Sequence, residues 1–104
     1  MDKKELERYI LYCSKVELIL DELKALVPRE DIKEALNYFI HGEEGLSLDS
    51  AIWYIVKNMT SISIDLKVLI DDFLSEFEPD GIYLGKEIVE EYLEELSNGN
   101  IKVI

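Results

Sequence analysis

Apolar residues recur every three or four positions along most of the chain, which is the spacing of one face of an α-helix. The first such segment predicts a helix from about Lys3 to Val27. Its apolar stripe contains Leu6, Ile10, Cys13, Leu20, Leu23 and Val27, and it is widened by Tyr9, Tyr12, Val16, Ile19 and Leu26. So broad a face predicts a central helix that is contacted on more than one side, with Cys13 as a buried, unreactive thiol.

The same periodicity predicts four more helices with short breaks between them. They cover about Arg29 to His41, Leu46 to Thr60, Ile64 to Phe77 and Lys86 to Ser97. The expected core positions of the second and third helices include Ile40, Leu48, Ile52, Ile55, Val56 and Met59, with Trp53 at the flank. Ser47 and Asp49 are alternative start signals for the helix that contains them, because both residue types cap helix N-termini.

Proline and glycine residues mark two of the breaks between the predicted helices. Pro28 and the Glu78-Pro79-Asp80-Gly81 segment interrupt helices, because proline lacks a backbone N–H and glycine accommodates sharp turns. The tail Ile101-Lys102-Val103-Ile104 is β-prone, and it either packs on the core as a short extended segment or frays.

The most distinctive break is the stretch His41-Gly42-Glu43-Glu44-Gly45-Leu46, which we call the elbow. Gly42 suits the position just after a helix, where positive φ is common. Glu43 and Glu44 suit the positive end of the next helix, and Gly45 would allow a tight turn. We therefore expect two helices to meet at the elbow and to pack on each other.

Composition narrows the class of protein. A chain of 104 residues with 48% hydrophobic residues predicts one domain, residues 1–104, folded as an all-α bundle of about five helices. The sequence contains no apolar run of about 18 residues, so we expect a cytoplasmic protein with no membrane partner. A net charge of −12 disfavours nucleic acid as a partner, because phosphate binding requires a basic surface.

Acidic residues are concentrated in the C-terminal part of the chain. Residues 1–64 carry 12 acidic and 8 basic side chains, whereas residues 65–104 carry 11 acidic and 3 basic ones. The candidate partner-binding residues are Asp71, Asp72, Glu76, Glu78, Asp80, Glu87, Glu90, Glu91, Glu94 and Glu95. Like charges four residues apart destabilise an isolated helix, so this arrangement is either a solvated face or a docking surface for a basic protein.

One segment has the spacing of a calcium loop. Glu76, Glu78, Asp80, Gly81 and Glu87 reproduce the acidic–x–acidic–x–acidic–Gly–x₅–Glu order. Glutamate replaces the usual aspartate at the first position, and the chain has no second loop to pair with it. A calcium-binding helix–loop–helix protein is therefore the less favoured alternative, and we expect no metal or other cofactor.

The sequence contains no recognisable set of catalytic residues. His41 is the only histidine, and its predicted position at a helix C-terminus favours a capping or surface role. No nucleophile and base pair can be built around it. We therefore expect a protein that is not an enzyme.

Residues from about Leu26 to Leu74 resemble the small bacterial immunity proteins of the MafI type and their relatives in contact-dependent growth inhibition systems. The resemblance is carried by Asp31 to Ile40, by the elbow, and by the Ser63 to Leu74 helix. Gly42, Glu43, Gly45 and Leu46 match the family pattern, whereas Ser47 and Asp49 depart from it. The resemblance implies a cytoplasmic all-helical protein that binds and neutralises one cognate toxin domain, often a nuclease.

Charge and resemblance predict the same kind of partner. A nuclease is basic around the site that holds phosphate, so its inhibitor is expected to be acidic. We therefore expect an immunity protein that neutralises its toxin through the acidic C-terminal half, with the elbow as a structural motif. The alternative is an acidic helical adaptor that binds a basic segment of a larger complex.

Overall fold

Five α-helices and one short 3₁₀ turn account for most of the chain in a computed structural model that describes all 104 residues. The helices are α1 (Lys3–Leu26), α2 (Lys33–Ile40), α3 (Glu44–Asn58), α4 (Ile64–Glu76) and α5 (Lys86–Ser97), and the 3₁₀ turn (Arg29–Ile32) precedes α2. The expected all-α bundle is therefore confirmed. None of the helices combines the length and the apolar character that crossing a membrane requires.

Twenty buried apolar residues form one core cluster between the helices. Helix α3 is central to it, since α3 packs against α1, α2 and α5, while α1 also packs against α4. Leu48, Ile52, Ile55 and Val56 of α3 are all buried, as their spacing predicts. The most buried stripe in the chain thus belongs to the third helix, and not to the first.

Helix α1 is the long first helix that the sequence predicts, but only its C-terminal half is in the core. Asp2 caps it by accepting a hydrogen bond from the Glu5 N–H at 2.8 Å. Val16, Ile19, Leu20 and Leu23 are buried, whereas Leu6 and Ile10 are 48% and 55% exposed. The prediction of one continuous buried stripe was wrong at Leu6 and Ile10, because no other segment of the chain covers them.

The elbow does join two helices, although the structure differs from the prediction at the start of α3, at Ile40 and at Met59. Helix α3 begins at Glu44, two residues earlier than expected, so Ser47 and Asp49 are interior residues and not start signals. Ile40 is 77% exposed. Met59, a predicted core residue, is 42% exposed and follows the end of α3 in a left-handed conformation with a φ of +45°.

The boundaries of α4 and α5 follow the sequence closely, whereas α2 begins at Lys33 and not at the predicted Arg29, because residues Arg29–Ile32 form the 3₁₀ turn. Ser63 caps α4 by accepting from the Leu66 N–H at 3.1 Å, and α5 spans the predicted residues. The C-terminal tail is ordered: Ile101 is buried, and Val103 forms a parallel bridge with Ile62. Of the two conformations expected for the tail, the structure therefore has the packed one.

Candidate functional site

Three of the predicted partner-binding acids are engaged with cations of the same chain. Asp71 pairs with Lys67 at 2.6 Å, Asp72 pairs with Lys15, and Glu76 pairs with Arg8 at 3.7 Å. The last two pairs connect α4 to α1. These carboxylates thus have structural contacts within the fold as well as solvent exposure.

Asp80 organises the loop between α4 and α5. Its Oδ1 accepts hydrogen bonds from the backbone N–H groups of Ile82 and Tyr83 at 2.8 Å and of Leu84 at 3.1 Å. These bonds, that from Ile82 first, hold the pKa of Asp80 below its usual value. The loop conformation at Tyr83 therefore depends on the ionised form of Asp80.

The acids of the predicted calcium loop do not assemble into a metal site. No group of three or more His, Cys, Asp or Glu side chains is placed to hold a metal ion. The Oδ1 of Asp80 already accepts three backbone N–H groups, and Glu76 faces Arg8. The calcium spacing is present in the sequence without the convergence of oxygens that it would need.

Four glutamates of α5 differ from these engaged acids. Glu87, Glu90, Glu91 and Glu94 are exposed, and none of them pairs with a cation. At 3.6 residues per turn they fall within an arc of about 100° on the side opposite the buried Val89 and Tyr92. We call these four residues the α5 acidic face. Glu95 is half-buried beside it and accepts a hydrogen bond from Asn100 at 3.1 Å.

An exposed tryptophan lies next to the α5 acidic face. Trp53 of α3 is 50% exposed, and it lines a small cleft with Ile88 and Glu91 of α5. The Nζ of Lys57 lies 4.8 Å from the centre of the Trp53 ring. On its other side Trp53 borders a second cleft with Leu46 and Asp49. A large aromatic side chain thus lies between a cleft that contains both Lys57 and Glu91 and a second cleft that is acidic.

A cavity of about 830 Å³ opens at the elbow. We call it the elbow groove; its lining residues are Glu5, Arg8, Tyr9, Tyr12, Gly42, Glu43, Glu44, Gly45, Leu46, Phe77, Asp80 and Tyr83. They come from α1, from the elbow and from the segment between α4 and α5. Three segments that are distant in sequence therefore form one site.

Aromatic rings form one wall of the elbow groove. Tyr12 packs edge-on against Phe77 with ring centres 5.0 Å apart, and against Phe73 at 5.2 Å. The guanidinium of Arg8 lies 4.5 Å from the centre of the Phe77 ring. Its Nη2 also donates a hydrogen bond to the Glu76 carbonyl at 2.8 Å. This wall already accommodates a stacked guanidinium.

Carboxylates face the aromatic wall. The Tyr9 hydroxyl lies 3.4 Å from both carboxylate oxygens of Glu44. A hydrogen bond with Cys13, followed by the charges of Cys13 and Glu44, raises the pKa of Tyr9 to about 12. Burial, with smaller contributions from Asp80 and Glu44, raises the pKa of Tyr12 to about 12. Both phenols are therefore protonated at neutral pH.

Gly45 determines how closely the loop approaches the elbow. A Cβ atom at this position would lie 2.6 Å from the Cβ of Tyr83 and 3.2 Å from the Tyr12 hydroxyl. The predicted role of Gly45 as a flexible turn was wrong, because the residue is helical and buried within α3. Gly42, with a φ of +74°, does end α2 as predicted. Gly45 is therefore needed for the close contact between α3 and the loop that carries Tyr83.

His41 and Cys13 have the modest roles that the sequence suggests. His41 is exposed just after α2, and its Nδ1 lies 2.7 Å from the Asn37 carbonyl oxygen. Cys13 is half-buried, which corrects the expectation of full burial, and this burial raises the pKa of its thiol. A raised thiol pKa means less thiolate at neutral pH and a less reactive side chain.

No protein-family model, curated protein or solved structure matches this chain. The resemblance of the elbow to MafI-type immunity proteins therefore stays a prediction based on its own residues.

The acids of α5 that the sequence singles out are mostly exposed, but the sequence did not predict the elbow groove or the half-exposed position of Trp53 beside α5. The elbow was expected to be structural, yet it supplies five of the residues that line the groove. The available signal was the proximity of aromatic and acidic residues in the sequence, with Tyr9 and Tyr12 near Glu5 in α1 and Tyr83 after Asp80. Periodicity alone assigns such residues to a core.

Proposed function

We propose that this protein binds and neutralises a basic toxin domain, as an immunity protein does, and that the α5 acidic face is the main contact. The observation that carries the proposal is the row of four exposed carboxylates without intramolecular partners, beside the half-exposed Trp53. Asp71, Asp72, Glu76 and Asp80 have cations or N–H groups nearby, whereas these four glutamates repel one another.

The energetics of the α5 acidic face favour binding. Each pair of glutamates at four-residue spacing destabilises the free helix by a few tenths of a kcal/mol. Cations of a partner would relieve this repulsion, and the field of a protein with a net charge of −12 would accelerate its capture. A nuclease domain is a suitable partner because its substrate groove is basic.

Trp53 would supply the apolar part of the interface. Tryptophan is enriched among the residues that contribute most to binding energy, especially where surrounding contacts exclude water. Trp53 shares a cleft with Glu91, so one partner surface could cover both. In this proposal the protein acts by occlusion, without catalysis and without a cofactor.

The test uses the protein encoded by the gene adjacent to that of this chain. We expect it to be toxic when expressed alone, and growth to be restored by co-expression of this chain. The variant Glu90→Gln/Glu94→Gln should reduce the association rate about tenfold at low salt. Glu7→Gln/Glu17→Gln is the matched control, since both residues are exposed on α1, lack ion pairs and change the net charge equally.

Equal association rates for the two variants would contradict the assignment to the α5 acidic face. Absence of both binding and protection would contradict the immunity function. If the neighbouring protein binds but is not toxic, the chain is an adaptor for a basic partner.

A further inference from the structure

The elbow groove is larger than the volume of any single side chain. Its volume of about 830 Å³ falls within the roughly 300–1,000 Å³ of typical ligand-binding pockets. Its walls are fixed by close contacts, notably the packing of Tyr83 on Gly45 and of Tyr12 on Phe77. The groove is therefore a formed site of defined shape.

The charge of the groove selects the class of occupant. Four carboxylates line it, those of Glu5, Glu43, Glu44 and Asp80, against the single cation of Arg8. That cation is engaged, because Arg8 pairs with Glu76 and lies on the Phe77 ring. A cationic occupant would meet an excess of negative charge, and an anionic one would be repelled.

The aromatic residues make the groove suitable for a planar cation. Tyr9, Tyr12, Phe77 and Tyr83 line it, and the negative face of an aromatic ring attracts a guanidinium. Arg8 on Phe77 is an example of this contact inside the same cavity. A guanidinium also pairs with carboxylates through two parallel hydrogen bonds, which an ammonium group cannot do.

The location of the groove indicates that its occupant belongs to a protein. Leu46 lines both the elbow groove and the cleft beside Trp53, and Trp53 also borders Glu91 of the α5 acidic face. A partner that contacts Trp53 would therefore reach the groove past one leucine. The volume leaves room for the backbone of a loop as well as for a side chain.

We propose that the elbow groove binds an arginine side chain carried on a loop of the basic partner. This inference rests on the proposed function, since the loop would belong to the protein that the α5 acidic face captures. The arginine stacks on the exposed rings of Tyr9 and Tyr83 and pairs with Glu44, while the loop backbone lies along the rim of the groove.

The experiment is a titration of the ¹⁵N-labelled full-length protein with the peptide acetyl-Gly-Arg-Gly-amide, followed by NMR. We expect the backbone signals of Gly42, Gly45 and Tyr83 to shift. The same peptide with citrulline, a neutral isostere of arginine, should bind at least about tenfold more weakly, because it loses the ion pair and the cation–π contact. Equal binding of both peptides would overturn the proposal.

Two groove variants and one control locate the site. Glu44→Gln and Tyr83→Leu should each weaken binding of the arginine peptide about threefold. Both keep the fold testable, since the amide of a glutamine can still accept a hydrogen bond from Tyr9, and Tyr83 is 57% exposed. Glu7→Gln/Glu17→Gln should leave peptide binding unchanged, since neither residue lines the groove. Signal shifts confined to α5, or tighter binding of free spermidine than of the peptide, would contradict an arginine site in the groove.

Binding measurements with the complete partner protein distinguish this inference from the proposed function. If Glu44→Gln/Tyr83→Leu binds the partner with unchanged affinity while Glu90→Gln/Glu94→Gln loses affinity, the groove assignment fails and the immunity function stands. If the neighbouring protein binds neither the wild type nor the variants, the immunity function fails, and the peptide titration still decides whether the groove binds arginine.

Discussion

The α5 acidic face and the elbow groove are both negative, yet they are built in opposite ways. The face consists of four glutamates on one helix, and their positions depend only on helical spacing. The groove consists of residues from α1, the elbow and the segment between α4 and α5, and their positions depend on long-range packing. The face therefore survives any change that leaves α5 helical, whereas the groove depends on individual contacts such as that of Gly45 with Tyr83.

This difference suggests a division of labour in binding. An array of exposed charges acts over a distance close to the Debye length, roughly 8–10 Å in ordinary buffers, and it accelerates encounter. A shaped aromatic cavity acts only at contact and selects one side chain. We expect changes in the face to alter mainly the association rate, and changes in the groove to alter mainly the dissociation rate.

The largest expected effect is a change in stability when Tyr92 is replaced, because Tyr92 packs α5 and its acidic face onto the core. This residue is fully buried, so Tyr92→Ala should lower the free energy of unfolding by about 3–5 kcal/mol. The buried Tyr92 hydroxyl has no hydrogen-bond partner within the protein, and Tyr92→Phe should therefore raise stability by roughly 1 kcal/mol. Urea denaturation of the three proteins checks both signs. A loss of stability in Tyr92→Phe would indicate that the hydroxyl makes a stabilising contact.

The next effect concerns the wall of the groove. Gly45→Ala should cost about 1–3 kcal/mol, because the new methyl group would overlap the Cβ of Tyr83 and force the loop outward. Gly42→Ala is the control: it meets no neighbouring atom and should cost about 1 kcal/mol through its positive φ alone. Thermal unfolding measures stability, and the arginine peptide measures the groove. Normal peptide binding by Gly45→Ala would show that the groove tolerates displacement of Tyr83.

A smaller effect is expected at Asp80. Asp80→Ala removes the acceptor of three backbone N–H groups and should lower the free energy of unfolding by about 1 kcal/mol at neutral pH. The pKa of Asp80 is lowered in the folded protein, so its contribution is present above the unfolded pKa of about 3.9 and is lost as pH falls through the folded value. The stabilities of wild type and variant should therefore converge below about pH 4, as urea denaturation across this range would show. A difference that stays constant from neutral pH down to about pH 3 would contradict this account.

The smallest effect separates stability from binding on the face itself. Glu90→Gln/Glu94→Gln removes a like-charge pair at four-residue spacing and should stabilise the free protein by a few tenths of a kcal/mol, measured by urea denaturation. The gain should diminish in about 1 M salt, where such repulsion is screened. Glu7→Gln/Glu17→Gln, whose residues are farther apart on α1, should show no comparable gain. Loss of stability in the α5 variant would imply that its acids have partners within the fold.

Most of the fold could be predicted because its elements are local. Helices α4 and α5 begin and end within one residue of the predicted positions, since Ser63 is a strong cap and Pro79 and Gly81 interrupt the chain. The start of α3 was predicted two residues too late because no local signal marks it. Glu43 precedes the helix without a side-chain hydrogen bond to its N–H groups, so residue type gave no boundary signal there.

The candidate site could be predicted only where it is local. The α5 acids follow from spacing, but the pairing of Glu76 with Arg8 joins residues 68 positions apart, and no periodic pattern encodes it. The exposure of Leu6 and Ile10 has the same origin, because an apolar stripe does not reveal whether another segment covers it. The role of Gly45 also depends on a neighbour that is distant in sequence, Tyr83.

The convergence of three distant segments at the groove links its occupancy to the global stability of the protein. In an unfolded chain Tyr9, Glu44 and Tyr83 are far apart, so an occupant binds only the folded state. Mass action then raises the free energy of unfolding by about 2.7 kcal/mol when the free ligand is at roughly 100 times its dissociation constant. A chain whose groove is occupied by its partner would consequently unfold, and be degraded, less readily than the same chain alone.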